Sequence, residues 1–166
     1  MTSVHKALAA CVLSAFVLAN GFAAAHRMPE ATLHLERVVV EDMAATAITV
    51  DLHAEDALRL LTIHGQTAHN LTSEAEFEGL AKLIVPRVTL SSGSMRFVGG
   101  KTEGNTVHLF FLAKNDAVVT AAHVLSSAYD QWTNRVNDKR SGFEDHSAVY
   151  IQDGDLSGDM KGHHHH

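Results

Sequence analysis

Histidine is the residue this chain carries in excess, with 13 in 166 residues against a single cysteine. Imidazole ligates transition metals and exchanges protons near neutral pH, so the placing of these residues shows where chemistry could occur. His5 lies in a leader-like start, and His163–His166 form the extreme end. Eight others remain: His26, His34, His53, His64, His69, His108, His123 and His146.

Three of these form the candidate metal set: His26, His34 and His53. Removal of a leader after Ala25 would make His26 the first residue. Its free α-amine and its imidazole could then chelate one ion together, and a tetragonal set of nitrogens suits Cu(II). His34 and His53 lie on two alternating segments. Leu33 and Leu35 face one way along the first; Ile48, Val50 and Leu52 face the same way along the second. Pairing the apolar faces puts His34, Asp51 and His53 together on the outer face. A register with Leu35 opposite Leu52 would set His34 directly across from His53, with Cβ atoms about 5 Å apart. Two imidazoles, an amine and a nearby carboxylate would form a copper or zinc site with support behind the ligands. The plainer alternative is two solvated histidines on a polar sheet face, because periodicity fixes faces and leaves register open.

Other histidines offer less. His64 and His69 straddle a helix end at a spacing that suits no tight helical pair. His108 sits in an apolar strand beside Phe110 and Phe111, where a hydrogen-bonded structural role is the expectation. His123 reads the same way, and His146 precedes the last strand. Asp153, Asp155, Ser157 and Asp159 resemble the front of a calcium loop. The twelfth position, which needs a bidentate carboxylate, is His164, so the segment reads as an acidic tail. Asn70-Leu71-Thr72 is a glycosylation sequon that matters only in a host able to use it.

Catalytic signatures are missing. The chain has no Gly-x-Ser-x-Gly elbow, no phosphate-binding Gly loop, no dinucleotide fingerprint and no His-Glu-x-x-His. Ser91-Ser92-Gly93-Ser94 is a turn cluster without an identifiable base. The expectation is a non-enzyme, with hydrolase the remote alternative.

The elements that must position these residues follow from hydrophobic period. Thr32–Val40 and Ala47–His53 alternate as half-buried strands, joined through Glu41–Ala45. Leu58, Leu60 and Leu61 have helical spacing within 55–64, and Gly65 is a fitting stop. Ser73 and Glu76 have capping-box spacing ahead of Phe77, Leu80, Ala81 and Ile84, which predicts a helix over 73–85 that Pro86 closes. Val88–Leu90, Met95–Val98 and Val107–Ala113 read as strands, with 99–105 as a hairpin loop. Residues 117–125 suit strand or helix, and Ala148–Ile151 is a short final strand. Gln131, Trp132 and Asn134 suggest an amphipathic patch, with Trp132 as plain core the stronger reading. The fold expected is α+β in a single domain: an N-terminal β-hairpin, two helices, then an antiparallel β-meander.

Lys6, the apolar run Ala7–Ala19, and Gly21 with Ala23-Ala24-Ala25 read as a cleaved signal over residues 1–25. The run is shorter than the roughly 18 apolar residues of a membrane span. A lipoprotein-like Leu8-Ala9-Ala10-Cys11 precedes the apolar run rather than following it, and is discounted. Cleavage would leave one domain over 26–152 with no transmembrane span, and would remove Cys11, hence any disulfide or thiolate site. It would also remove Lys6, making a formal charge of −6 one unit more negative. Such a surface excludes nucleic acid as a partner. Residues 153–166 read as a flexible tail in which Gly162 and His163–His166 are an affinity-tag remnant or a native His-rich end.

His26-Arg27, the strand ending Asp51-Leu52-His53 with Asp56 opening a Leu-rich helix, and the stretch Val124-Leu125, Tyr129-Asp130-Gln131, Asn134-Arg135-Val136-Asn137 carry a resemblance. Together they resemble an uncharacterised family of small exported bacterial proteins, of the domain-of-unknown-function type, with a His-Arg start and a Gln-x-x-Asn element. The chain departs from that pattern at Ala54-Glu55, where a second His would follow His53. The resemblance implies an exported α+β domain and no established activity. A leading His26 also looks like the N-terminal arrangement of periplasmic copper-resistance proteins and lytic polysaccharide monooxygenases. Two expectations follow. One is a periplasmic or secreted binding or accessory domain, with an unknown envelope protein or a metal ion as partner. The other is a dedicated copper- or zinc-binding protein.

Overall fold

A computed structural model describes residues 27–68 and 70–152 of the chain. The expected signal 1–25, His26, His69 and the tail 153–166 lie outside the described residues.

The domain is α+β and mainly sheet. Strand β1 (Glu30–Val40) turns back into β2 (Met43–His53), and helix α1 (Ala54–Ile63) follows at once. Helix α2 (Glu74–Ile84) leads through a 3₁₀ turn into β3 (Val88–Leu90). Then come β4 (Arg96–Glu103), β5 (Thr106–Lys114), β6 (Val119–Ala122), β7 (Trp132–Asp138) and β8 (Ala148–Gln152). Six strands form one sheet in the order β4-β5-β2-β1-β7-β8, while β3 and β6 pair separately. No helix of the described residues is long and apolar enough to cross a membrane.

The alternation read in the sequence is what builds this sheet. Leu33, Leu35, Ile48, Val50 and Leu52 are all at most 1% exposed. Val107, Leu109 and Phe111 of β5 continue the buried face, and Leu60, Leu61, Leu80 and Ile84 of the helices pack onto it. Ser73 caps α2: its hydroxyl accepts from Glu76 N, and the Glu76 carboxylate accepts from Ser73 N at 3.0 Å. A cap of this kind contributes about 1 kcal/mol. Helix α2 fits against β4 because residue 100 is glycine. A Cβ there would lie 2.7 Å from Phe77 Cγ and 3.0 Å from Leu109 Cδ2.

Several expectations are corrected. The β1–β2 connection is only Glu41-Asp42, both with positive φ (51° and 63°), and Met43–Ala45 already belong to β2. Residues 99–103 are strand, and the β4–β5 turn shrinks to Gly104-Asn105. The strands after α2 are not a simple antiparallel meander. Strand β7 crosses back to lie parallel to β1, with β8 antiparallel outside it. Polar residues at inward positions hid β7: Asn134 is 0% exposed and Asp138 6%.

Asp138 is inward because it has a partner. Arg140 donates from Nε to Asp138 Oδ1 at 2.8 Å and from Nη2 to Oδ2 at 2.6 Å. Its Nη1 donates to Thr46 Oγ1 at 2.8 Å and to the Asn115 carbonyl at 3.0 Å. One buried guanidinium thereby ties the end of β7 to β2 and to the turn after β5.

Candidate binding face

The second face of the six-stranded sheet is the opposite case. No described helix or strand packs on it, and its residues are half-buried or exposed except Thr133, whose hydroxyl meets Met28 Sδ at 3.2 Å. Strand register lays out successive rows across it. One row runs Lys101, His108, Asp51, Thr32, Arg135 and Val149, from β4 to β8. The next brings together Phe110, Thr49, His34 and Asn137.

Asp51 sits at the middle of this face and serves two imidazoles. His108, directly opposite on β5, places Nδ1 2.7 Å from Asp51 Oδ1. His34, diagonal to Asp51 on β1, places Nε2 3.4 Å from Oδ2. All three side chains are about three-quarters buried, at 25%, 25% and 22% exposure for His34, Asp51 and His108. A carboxylate that accepts a ring N–H fixes the ring's orientation and tautomer. The ring nitrogens turned toward Asp51 are thus engaged, while His34 Nδ1 is buried without a hydrogen-bond partner. Lys101 and Glu103 form an ion pair at 2.8 Å on one flank, and Arg135 and Glu30 one at 3.6 Å on the other. The Lys101 hydrogen bond and charge, with His108 adding to them, hold the Glu103 carboxyl below its ordinary value.

The three residues predicted to bind metal fall in different places. His34 and His53 do share the outer face, as parity requires. The register, however, sets Leu35 opposite Ile48 rather than Leu52, so His34 faces Thr49. His53 lies four residues further along β2, roughly 13 Å away at strand rise, too far to share an ion with His34. Its Nδ1 instead accepts from Glu55 N as the N-cap of α1. His26 lies outside the described residues. Among the described residues, no three His, Cys, Asp or Glu side chains are placed to hold a metal ion.

Two groups escaped the sequence reading. His108 is hydrogen-bonded, as expected of a sheet histidine, but its partner, Asp51 on the open face, was not foreseen. No local signal reveals this, because β2 and β5 pair across more than 50 residues of chain. The other group surrounds Asp56 in the first turn of α1, 2% exposed. Arg27 Nη2 lies 2.6 Å from its Oδ2, and the Tyr129 hydroxyl donates to its Oδ1 at 2.7 Å. Arg59 stacks over the Tyr129 ring at 4.7 Å and donates to the Ala128 carbonyl. Burial, with the Asp56 hydrogen bond and charge, pushes the Tyr129 hydroxyl up to about 12. Arg27, Asp56 at the helix opening and Tyr129 are therefore in contact, though far apart in sequence.

No family model, no curated protein and no solved structure matches this chain.

Proposed function

We propose that this chain is an exported, non-enzymatic binding domain that receives an envelope protein on its open sheet face around Asp51. The observation that carries the reading is the His34–Asp51–His108 arrangement: three polar groups held in place, at the centre of a face that no described helix or strand covers. Pre-oriented polar groups on a rigid sheet lose little entropy on binding. The leader-like residues 1–25 support export, and the missing catalytic signatures of the sequence favour binding over turnover. The test is a photo-crosslinking residue at Thr49, opposite His34, in the mature protein mixed with envelope extract. A discrete adduct from position 49, absent from position 78 on α2 and reduced at least about tenfold by Asp51→Ala, is expected. An equal adduct from both positions, or none from position 49, overturns the reading.

A second reading keeps copper or zinc and moves its location. The Arg27–Asp56 pair holds residue 27 at the first turn of α1, which His53 caps, and His26 is the next residue upstream. His26 with His53, rather than with His34, is then the pair that could share an ion. Copper should bind more tightly than zinc to nitrogen ligands. Calorimetric copper titration of protein that starts at His26 and ends before His163 tests this. His26→Ala and His53→Ala should weaken binding, and His34→Ala should not. Equal binding by all variants removes the metal reading.

A further inference from the structure

The tip of the β1–β2 hairpin has a property that the binding face lacks: an open backbone edge. Strand β7 pairs with β1 only along Glu30–Leu35, and Lys139 N closes that side by donating to the Leu35 carbonyl at 3.0 Å. From Arg37 to Val40, β1 has β2 on one side and no described residue paired on the other. The two-residue turn makes Val40 and Met43 the first hydrogen-bonded pair, so Val40, Val38 and Glu36 direct their backbone groups to β2. By alternation, the N–H and C=O groups of Arg37 and Val39 point out of the sheet edge. Leu35, two residues earlier, points the same way and is the one that Lys139 satisfies.

Exposed edges of this kind are usually blunted by lysine, proline, a bulge or a covering loop. Here the edge carries Val38-Val39-Val40 without interruption. Val39 is 70% exposed, and Met43 across the turn is 66% exposed. Arg37 and Glu41 flank the valines, and neither has a hydrogen bond or ion pair among the described residues.

We propose that this edge pairs with the same edge of a second copy of the chain, antiparallel and centred on Val39. Backbone direction allows centres on Arg37, Val38 or Val39, and charge selects the last. Centred on Val39, the two Val39 residues exchange both backbone hydrogen bonds. Arg37 of each copy then lies opposite Glu41 of the other, twice by symmetry, as a two-fold interface requires. Centring on Arg37 would face arginine against arginine. Centring on Val38 would set Arg37 opposite Val39 and Glu41 opposite Leu35, leaving both charges without an opposite partner. An extended foreign peptide could use the same backbone groups; the self-complementary order Arg-Val-Val-Val-Glu is what favours a second copy. The contact is a few residues long, so the dimer is weak and transient, in the range of interfaces below about 1,200 Å².

Analytical ultracentrifugation of the full chain, from about 10 µM to about 1 mM with chelator present to silence His163–His166, reads this directly. The mean mass should rise with concentration toward twice the monomer. Arg37→Glu and Glu41→Arg should each weaken association at least about tenfold by setting like charges opposite one another. Mixed one to one, the two variants should associate again, because each supplies the charge the other lacks. Circular dichroism verifies that both remain folded, as substitutions at an exposed hairpin tip should. A wild type that stays monomeric at the highest concentration overturns the proposal and leaves the edge to a foreign strand. So does association that neither substitution affects, or a mixture that fails to recover it.

Discussion

Asp51 and His108 stand directly opposite one another in the β2–β5 ladder, and Asp51 Oδ1 lies 2.7 Å from His108 Nδ1. The carboxylate can only accept, so Nδ1 carries the proton and Nε2 is left bare in the neutral ring. Nitrogen-15 chemical shifts of His108 should therefore report the Nδ1–H tautomer, the minority form of free histidine. Asp51→Ala should return the ring toward the ordinary Nε2–H form and cost about 1 kcal/mol of stability, the usual worth of one partly exposed hydrogen bond. A tautomer that does not respond to this substitution would remove the basis for treating the pair as a unit.

How much of this was legible beforehand follows from what each signal encodes. Alternation encodes faces, so the buried set from Leu33 to Leu52 and the shared face of His34, Asp51 and His53 could be read directly. Register is set by the turn. Glu41-Asp42 adopts a left-handed geometry at both positions without the Asn or Gly that usually marks it. Reading the turn as longer moved His34 opposite His53. Pairing between distant strands has no local signature at all, which is why His108 came to Asp51 unannounced. Strand β7 was hidden for a third reason: its inward positions include Asn134 and Asp138, so its period looks polar.

The buried pair of Asp138 and Arg140, at 1% and 0% side-chain exposure, gives a stability prediction. Two charges taken out of water are tolerable together and costly apart. Arg140→Ala should destabilise the fold by about 3–5 kcal/mol, since it leaves the buried Asp138 carboxylate without its guanidinium. Replacing both, as Asp138→Leu with Arg140→Met, should cost markedly less than Arg140→Ala alone. Urea midpoints at unchanged slope measure both; a double variant as unstable as the single one would mean that packing, not charge, holds this corner.

Gly100 tests the fit of α2 on β4. Its backbone needs no left-handed conformation, so the demand is purely for space beside Phe77 and Leu109. Gly100→Ala should destabilise by about 1–3 kcal/mol despite the better strand propensity of alanine, because the added methyl overpacks the site. Shortening the neighbour with Phe77→Leu should recover part of that loss in the Gly100→Ala background while being destabilising on its own. Additive costs would show that the two positions do not touch.

Tyr129 supplies the pH prediction. Burial and the bond to Asp56 keep its hydroxyl protonated in the folded state up to about 12. The unfolded chain should ionise nearer the ordinary tyrosine value of about 10. The folded state thus holds its proton more tightly, and the stability this provides is complete below pH 10. It is lost as pH rises from there through about 12, because the unfolded chain gives up the proton first. Tyr129→Phe removes the titration and the bond together. The variant should be less stable at neutral pH, by the roughly 1–2 kcal/mol expected when Asp56 Oδ1 loses its donor. Its stability should also fall less steeply than that of wild type between pH 10 and 12. Ultraviolet titration of the phenolate, with Tyr150 as the other tyrosine, combined with denaturation midpoints across that window, measures both. A Tyr129 that ionises near its ordinary value of about 10, with the same alkaline slope of stability in wild type and Tyr129→Phe, would show that Asp56 does not hold this hydroxyl.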